Sequence, residues 1–466
     1  MIKLTPEQFE SKEHLVHEDG MILVSAGPGT GKTFLAEQVI NALSPAKVLY
    51  TAFNKAIVES GKKRFGTNLV ECKTLHSLAY RYSQPKGEIR STNYRDLPNS
   101  LTYGQKYEVL QAIESFFVSA SSDMWEFFED YFGKPKNRPL LIQTSLDTVH
   151  KMLDKELPWS FSFMLKYFHL MLIEDPKVCH YDLVILDEIN DTTAVALEIF
   201  KLLDAPKKLG IGDPHQAIYS FMNLVNGFEE LKDIPIYSLT QSFRCSKEIA
   251  YKIEQFMQSY VSSDFKFTGS DTPVENGKSL YCTMTNGSII KELAYRLGEG
   301  KSFKLLRKPA DIFACSLAVL SASNEREIYQ SQYKYLQDVF NDWKSDSSGK
   351  YKSFFSYVLK KLDDSEVHSA VRLLLGLQRR NINLFDIYKK VKSHKQQDDY
   401  TIATVYTAKG LEFETVTLAE EFDSLIAEAK QAGEENVEKQ QTLFKCFYVA
   451  ASRAGRILNN ANELSR

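Results

Sequence analysis

Ala26-Gly27-Pro28-Gly29-Thr30-Gly31-Lys32-Thr33 is the stretch from which the rest of this chain can be read. Ahead of it lies Met21-Ile22-Leu23-Val24, an apolar run of strand length. Behind it, Phe34 to Leu43 carries apolar residues at helical spacing. Strand, glycine-rich loop and helix is the order a phosphate-binding loop requires. Gly27, Gly29 and Gly31 let backbone N–H groups turn toward phosphate oxygens, and the helix N-terminus adds its positive end. Ala26 and Thr30 complete that cradle. In such a loop Lys32 reaches the β- and γ-phosphates and the Thr33 hydroxyl ligates Mg²⁺. The octet reads as a site for ATP or GTP.

At 466 residues the chain has room for two to four domains. With 43% apolar and 25% charged residues, its composition is that of an ordinary globular protein. The formal net charge of -3 excludes a broadly cationic protein, although 57 Lys and Arg leave room for a local basic groove. The six cysteines are scattered, with no pair at metal-ligand spacing, as expected of reduced structural thiols. Met1 to Glu7 has no signal-peptide core, and no run approaches a membrane span. A soluble intracellular chain, cytoplasmic or nuclear, is expected.

Strand-like segments alternate with helical ones in two blocks. The first holds Met21–Val24, Val48–Phe53, Leu183–Asp187, Leu209–Gly212 and Ile234–Leu239; the second holds Ser279–Met284, Lys304–Leu306, Thr401–Val405 and Thr415–Leu418. Such alternation predicts an α/β fold with parallel sheets, twice over. Between Arg81 and Asp175 the chain turns helical and aromatic-rich, and Glu325 to His394 is helical again, with a polar loop at Lys344–Lys350. Each block is thus interrupted by a helical insertion.

Leu183-Val184-Ile185-Leu186-Asp187-Glu188 is a buried strand ending in two acids. A carboxylate at a strand tip beside the phosphate loop can hold Mg²⁺ while its neighbour activates the attacking water. Asp187 is assigned to the metal and Glu188 to the base. The next strand leads through Gly212 and Asp213 to Gln216, an amide placed to sense the γ-phosphate. Tyr219 and Phe221 alternate beyond it, a pattern that on its own more often means core packing.

The ordered set of motifs resembles the UvrD/Rep/PcrA group of superfamily 1A DNA helicases. The matching pieces are Leu4-Thr5-Pro6-Glu7-Gln8, the phosphate loop, Val48 to Ala56, Thr74 to Ala79, Asp187 to Asp191 and Gly212 to Tyr219. Leu239 to Arg244, Thr407 to Phe413 and Tyr448 to Ala454 complete the set. The wording of the last four is similar to the F-box DNA helicase branch, here without an F-box segment ahead of the motor.

The resemblance implies two RecA-like motor domains of the P-loop NTPase class, each with a helical insertion. Their boundaries would be 1–80 with 175–245 for the first motor domain and 81–174 for its insertion. The second would run 246–324 with 395–466, with 325–394 as a reduced insertion. Gln8 would read the adenine edge, Phe243 stack on the base, Glu412 contact the ribose and Gly410 line the pocket. Arg244 and Arg453 would act on the γ-phosphate as arginine fingers, where planar guanidinium donors stabilise spreading charge. ATP binding would then close the two blocks, the stroke of the motor. Phe53, Asn54, Lys55, Thr74, His76, Tyr219, Phe221 and Lys409 fall where the family places strand contacts; for each alone, a structural role is as plausible.

Three positions depart from the family pattern. Asn190 stands in place of glutamine, one methylene shorter, so its coupling contact to the γ-phosphate or to the Gly212–Tyr219 motif is expected to need a water; Met222 replaces an arginine and Tyr406 a histidine. With its short second insertion and only thirteen residues after Arg453, the chain reads as a minimal motor. It is expected to be a monomeric ATP- and Mg²⁺-dependent translocase moving 3′→5′ on single-stranded DNA and working at single-strand/duplex junctions, with replication or recombination proteins as partners. Two alternatives remain: a translocase that mainly strips proteins from DNA, and an ATP-gated loader with little movement.

Overall fold

Along Ile22-Leu23-Val24 and Leu183-Val184-Ile185-Leu186, successive side chains must point to opposite faces of a strand. Since all are apolar, both faces need covering. The computed structural model shows how. It describes residues 3–52, 55–66, 69–85, 87–133, 138–219, 224–346, 348–362, 364–397, 399–431 and 437–464. The chain forms two compact units, Met1–Thr240 and Gln241–Arg466.

The first unit begins with α1 (Pro6–His17), β1 (Gly20–Ala26), α2 (Lys32–Leu43), β2 (Val48–Ala52), α3 (Lys55–Phe65), β3 (Val70–Cys72) and α4 (Leu75–Ser83). Four helices follow: α5 (Tyr103–Val118), α6 (Met124–Phe132), α7 (Arg138–Leu153) and α8 (Phe161–Glu174). The chain returns with β4 (Leu183–Asp187), β5 (Thr192–Thr193), α9 (Ala194–Leu202), β6 (Lys207–Gly212), β7 (Leu224–Val225), α10 (Gly227–Glu230) and β8 (Ile236–Leu239). Its main sheet has the order β3-β2-β4-β6-β1-β8, with every pairing parallel. All strands therefore end at the same edge, where open α/β sheets bind their ligands. Register sets the level: Asp187 lies opposite Ala52 and Ile211, and Ser25 lies opposite Gly212.

Ile22, Val24, Val48, Tyr50, Ile185 and Ile211 pack on one face with Leu15, Leu35, Val39 and Val58. On the other face Leu23, Leu49, Val184 and Leu186 share a core with Val109, Phe116, Met152, Phe163 and Phe168 from the helices between Tyr103 and Glu174. Each such burial contributes about 1.5–3 kcal/mol. The helical stretch is thus continuous in its packing with the sheet.

The second unit holds β9 (Gln241–Ser246), α11 (Lys247–Tyr260), β10 (Thr268–Ser270), β11 (Ser279–Thr283), α12 (Asn286–Gly298), β12 (Lys304–Leu305) and α13 (Pro309–Ser323). Next come α14 (Tyr335–Ser345), α15 (Phe354–Lys361), α16 (Ser365–Arg379) and α17 (Leu384–Ser393). It ends with β13 (Tyr400–Thr404), α18 (Val405–Ala408), β14 (Phe413–Leu418), α19 (Glu421–Gln431), α20 (Val437–Ala451) and β15 (Ala454–Asn459). Its main sheet, β12-β13-β11-β14-β15, is again parallel throughout. Two parallel α/β sheets were expected, and two are present.

Several strands escape the sequence reading. β9 reads Gln-Ser-Phe-Arg-Cys-Ser and β15 contains Gly455 and Arg456, so neither shows an unbroken apolar run. β3 is only three residues long. No described helix is long and apolar enough to cross a membrane.

Candidate nucleotide and nucleic-acid site

The phosphate loop leaves β1 at Ala26 and enters α2 at Lys32. Gly29 has φ +73° and Gly31 φ +86°, left-handed conformations that strain any residue with a β-carbon. Gly31 is the N-cap of α2, so Lys32 and Thr33 lie in its first turn, where N–H groups lack helical partners. The Thr30 hydroxyl donates to the Gly27 carbonyl at 2.9 Å. The Lys32 ammonium donates to the carbonyls of Ala26 at 2.8 Å and Gly27 at 3.2 Å, which holds it over the loop.

Gln8 fastens this loop from outside. Its carbonyl oxygen accepts the Thr5 N–H at 3.1 Å, closing a capping box on α1, and its amide nitrogen donates to the Thr30 carbonyl at 3.0 Å. The side chain is buried, with both ends of the amide engaged. Beside it, Glu7 accepts both the N–H (2.8 Å) and the hydroxyl (2.7 Å) of Thr240.

Asp187 ends β4 almost fully buried. One oxygen accepts the Glu188 N–H at 2.9 Å, and the other accepts the hydroxyl of Tyr50 from the neighbouring β2. Burial, and then the charge of Glu188, push its carboxyl up to about 6. Burial and the Asp187 charge push the Tyr50 phenol far above its ordinary range, so it stays a donor. Glu188 has φ +55°, a strained backbone for a residue with a side chain, and its Oε2 is buried with no hydrogen-bond partner.

Asn190 connects this strand tip to the next. Its side-chain oxygen accepts the Asp213 N–H at 2.9 Å, so the contact to the Gly212–Tyr219 motif is direct and needs no water. The shorter residue fits because Gly212 leaves the space: a β-carbon there would stand 2.3 Å from that same oxygen. Asp213 in turn accepts the His215 N–H at 3.0 Å and the Gln216 amide at 2.8 Å. A polar chain therefore runs from Asn190, two residues past Glu188, through Asp213 to the buried Gln216.

Of the proposed strand contacts in the first unit, Lys55 is exposed and Tyr219 half-buried. Thr74 caps α4, accepting the Ser77 N–H at 3.2 Å. His76 is half-buried, and burial lowers its pKa. Phe53, Asn54 and Phe221 lie outside the described residues, as does Met222.

In the second unit Arg244 and Arg453 are both buried and converge on Ser452. Arg244 Nη1 donates to the Ser452 carbonyl at 3.3 Å, and Arg453 Nη2 donates to the Ser452 hydroxyl at 3.2 Å. Arg244 Nε also meets Glu412 at 3.3 Å, while Arg453 donates to the carbonyls of Val449 at 2.9 Å and Leu411 at 3.3 Å. Phe243, next to Arg244 on β9, leaves 44% of its surface exposed, an open face for stacking. Gly410, with φ +83°, turns the chain between half-buried Lys409 and exposed Glu412.

Residues 12–222 match the AAA domain family, and residues 323–459 match the UvrD-like helicase C-terminal domain. In its second half the chain thus resembles the UvrD-like helicases. It is 26% identical to F-box DNA helicase 1 of Gallus gallus, over 99% of this chain and 49% of that protein. It is also 26% identical to F-box DNA helicase protein 1 of Schizosaccharomyces pombe, over 61% of this chain and 35% of the other. This UvrD-like chain thus spans about half or less of the curated relatives it matches.

The donors of the UvrD-like site fit Mg²⁺. They are oxygens only, and Mg²⁺ is commonly held by one or two carboxylates together with substrate phosphates. Asp187 and Thr33 would provide the protein ligands, and the partnerless Glu188 Oε2 is a buried acceptor suited to a water. Among the described residues no cluster of three or more His, Cys, Asp or Glu stands ready to hold a metal alone. Sequence reasoning missed Tyr50 and Ser452. The signal for Tyr50 was a polar-tipped ring inside an otherwise buried strand; for Ser452 it was adjacency to Arg453.

Proposed function

We propose that this chain is an ATP-dependent DNA helicase or translocase that moves 3′→5′ on single-stranded DNA. One observation carries the reading. A single parallel sheet brings the Lys32 loop, the Asp187-Glu188 pair and the Asn190–Asp213–Gln216 chain to one edge. That edge offers a cradle for phosphates, a carboxylate for metal and a base for water. Lys32 would hold the β- and γ-phosphates, and Mg²⁺ on Thr33 and Asp187 would neutralise charge on their oxygens. Glu188 would take a proton from the attacking water, and Gln216 would report the γ-phosphate through Asp213 and Asn190 to the strand ends. Arg244 and Arg453 are the guanidinium groups assigned to the transferred phosphoryl group.

Support for DNA as the track comes from the printed names of the two relatives and from exposed Lys55 and half-buried Tyr219 near the ends of these strands. ATP turnover measured with single-stranded DNA, duplex DNA and RNA, then unwinding of duplexes with 3′ or 5′ tails, tests the proposal. Turnover stimulated by single-stranded DNA and unwinding from a 3′ tail are expected. Turnover without stimulation by any strand would refute the motor. Stimulated turnover with protein displacement but little unwinding would point to the second reading, a protein-stripping translocase, which the brevity of 325–394 favours.

A further inference from the structure

We infer that Tyr50 is a positioning residue for the metal-binding carboxylate, its hydroxyl fixing the plane of Asp187. The inference rests on the proposed nucleotide site and deepens it. Asp187 has two oxygens and each receives one donor, the Glu188 N–H on Oδ1 and the Tyr50 hydroxyl on Oδ2. With both ends tethered the carboxylate cannot rotate, and its remaining lone pairs keep one direction. A metal that demands near-octahedral geometry gains from such fixing.

The ring that delivers the hydroxyl is itself locked. Tyr50 is 1% exposed and packs against Phe65 at a centroid distance of 4.9 Å. Gly61 of α3 lets it in: a β-carbon at Gly61 would stand 2.7 Å and 2.9 Å from two of its ring carbons. Register then fixes the partner, because Ala52 pairs with Asp187 and Tyr50 with Ile185, one pleat earlier on the same face. A hydrophobic residue at position 50 would serve packing equally well. The hydroxyl aimed at a buried carboxylate is the feature that packing does not explain.

The test uses the full chain with Mn²⁺ as the metal probe and ADP as the nucleotide. Bound Mn²⁺ is counted by electron paramagnetic resonance, and metal-free ADP affinity is measured in parallel. Tyr50→Phe keeps the ring and removes one oxygen. It is expected to weaken Mn²⁺ binding about tenfold while ADP affinity without metal stays as in the wild type. Gly61→Ala, which displaces the ring but leaves the hydroxyl, is expected to weaken Mn²⁺ in the same direction. Equal Mn²⁺ affinity in wild type and Tyr50→Phe would overturn the inference while leaving the nucleotide site standing. A wild-type chain with no ADP-dependent Mn²⁺ signal, or one that Asp187→Asn leaves unchanged, would overturn both.

Discussion

Lys166 is an ionisable amine placed in an apolar core, and replacing it by methionine should change how stability depends on pH. It sits on α8 with no exposed surface. Its ammonium donates to the carbonyls of Ser119 (3.0 Å) and Ser121 and lies 4.3 Å from the centroid of the Phe116 ring. Burial lowers its pKa from 10.5 to about 7. Above pH 7 the folded chain therefore sheds this proton while the unfolded chain keeps it up to 10.5, so the unfolded state binds more protons and stability rises with pH. Between pH 6 and pH 9 the folded group passes through about two units of deprotonation; at 1.36 kcal/mol per unit this is about 2.7 kcal/mol. Lys166→Met removes that slope. The lost hydrogen bonds and the gained apolar packing shift the whole curve, but they do not depend on pH. Equilibrium urea unfolding at pH 6, 7, 8 and 9 would be followed by fluorescence in a Trp343→Phe background, leaving Trp125 and Trp159 of the first unit as reporters. Wild type should gain about 2.7 kcal/mol over the variant across this range. Parallel curves would refute the reasoning. The result bears on the site because this core includes Leu23 and Val184, on the strands that carry the phosphate loop and the acids.

Three further outcomes are expected. Lys32→Ala should abolish ATP turnover while strand binding, read by fluorescence anisotropy, remains at least in part; retained turnover would remove Lys32 from its role. Tyr219→Ala should weaken single-strand affinity by roughly 1–3 kcal/mol, and unchanged affinity would return the ring to a packing role. Gly212→Ala forces a β-carbon against the Asn190 oxygen and should break its bond to Asp213. The overpacking would cost about 1–3 kcal/mol of stability, and strand-stimulated turnover should fall while ATP binding persists; full stimulation would show that the polar chain carries no signal.

Much of this was legible before any fold was known. The octet from Ala26 to Thr33 announces its chemistry because phosphate cradling depends on consecutive backbone groups, which consecutive residues encode. The strand that carries Asp187 was legible for a related reason: a short apolar run that ends in charge suits a buried strand reaching the edge of its sheet. The order of motifs carried the resemblance to the UvrD-like helicases. The direct bond from the Asp213 N–H to Asn190 was not legible, since the length of Asn190 mattered only relative to the gap left by Gly212 and the bond spans 23 positions.

Other features were decided by tertiary structure alone. Tyr50 meets Asp187 across 137 positions, and that meeting depends on β2 lying beside β4, which no local pattern announces. Ser452 is an unremarked serine until the fold brings Arg244 to it across 208 positions. Gln8 has the same chemistry in any context, but its hold on Thr30 exists only because α1 packs against α2. The sequence by itself determined which groups could hold a nucleotide, since that is set by residue type and local spacing. The fold decided which groups hold those groups in place, since hydrogen bonds between distant segments depend on sheet order and register.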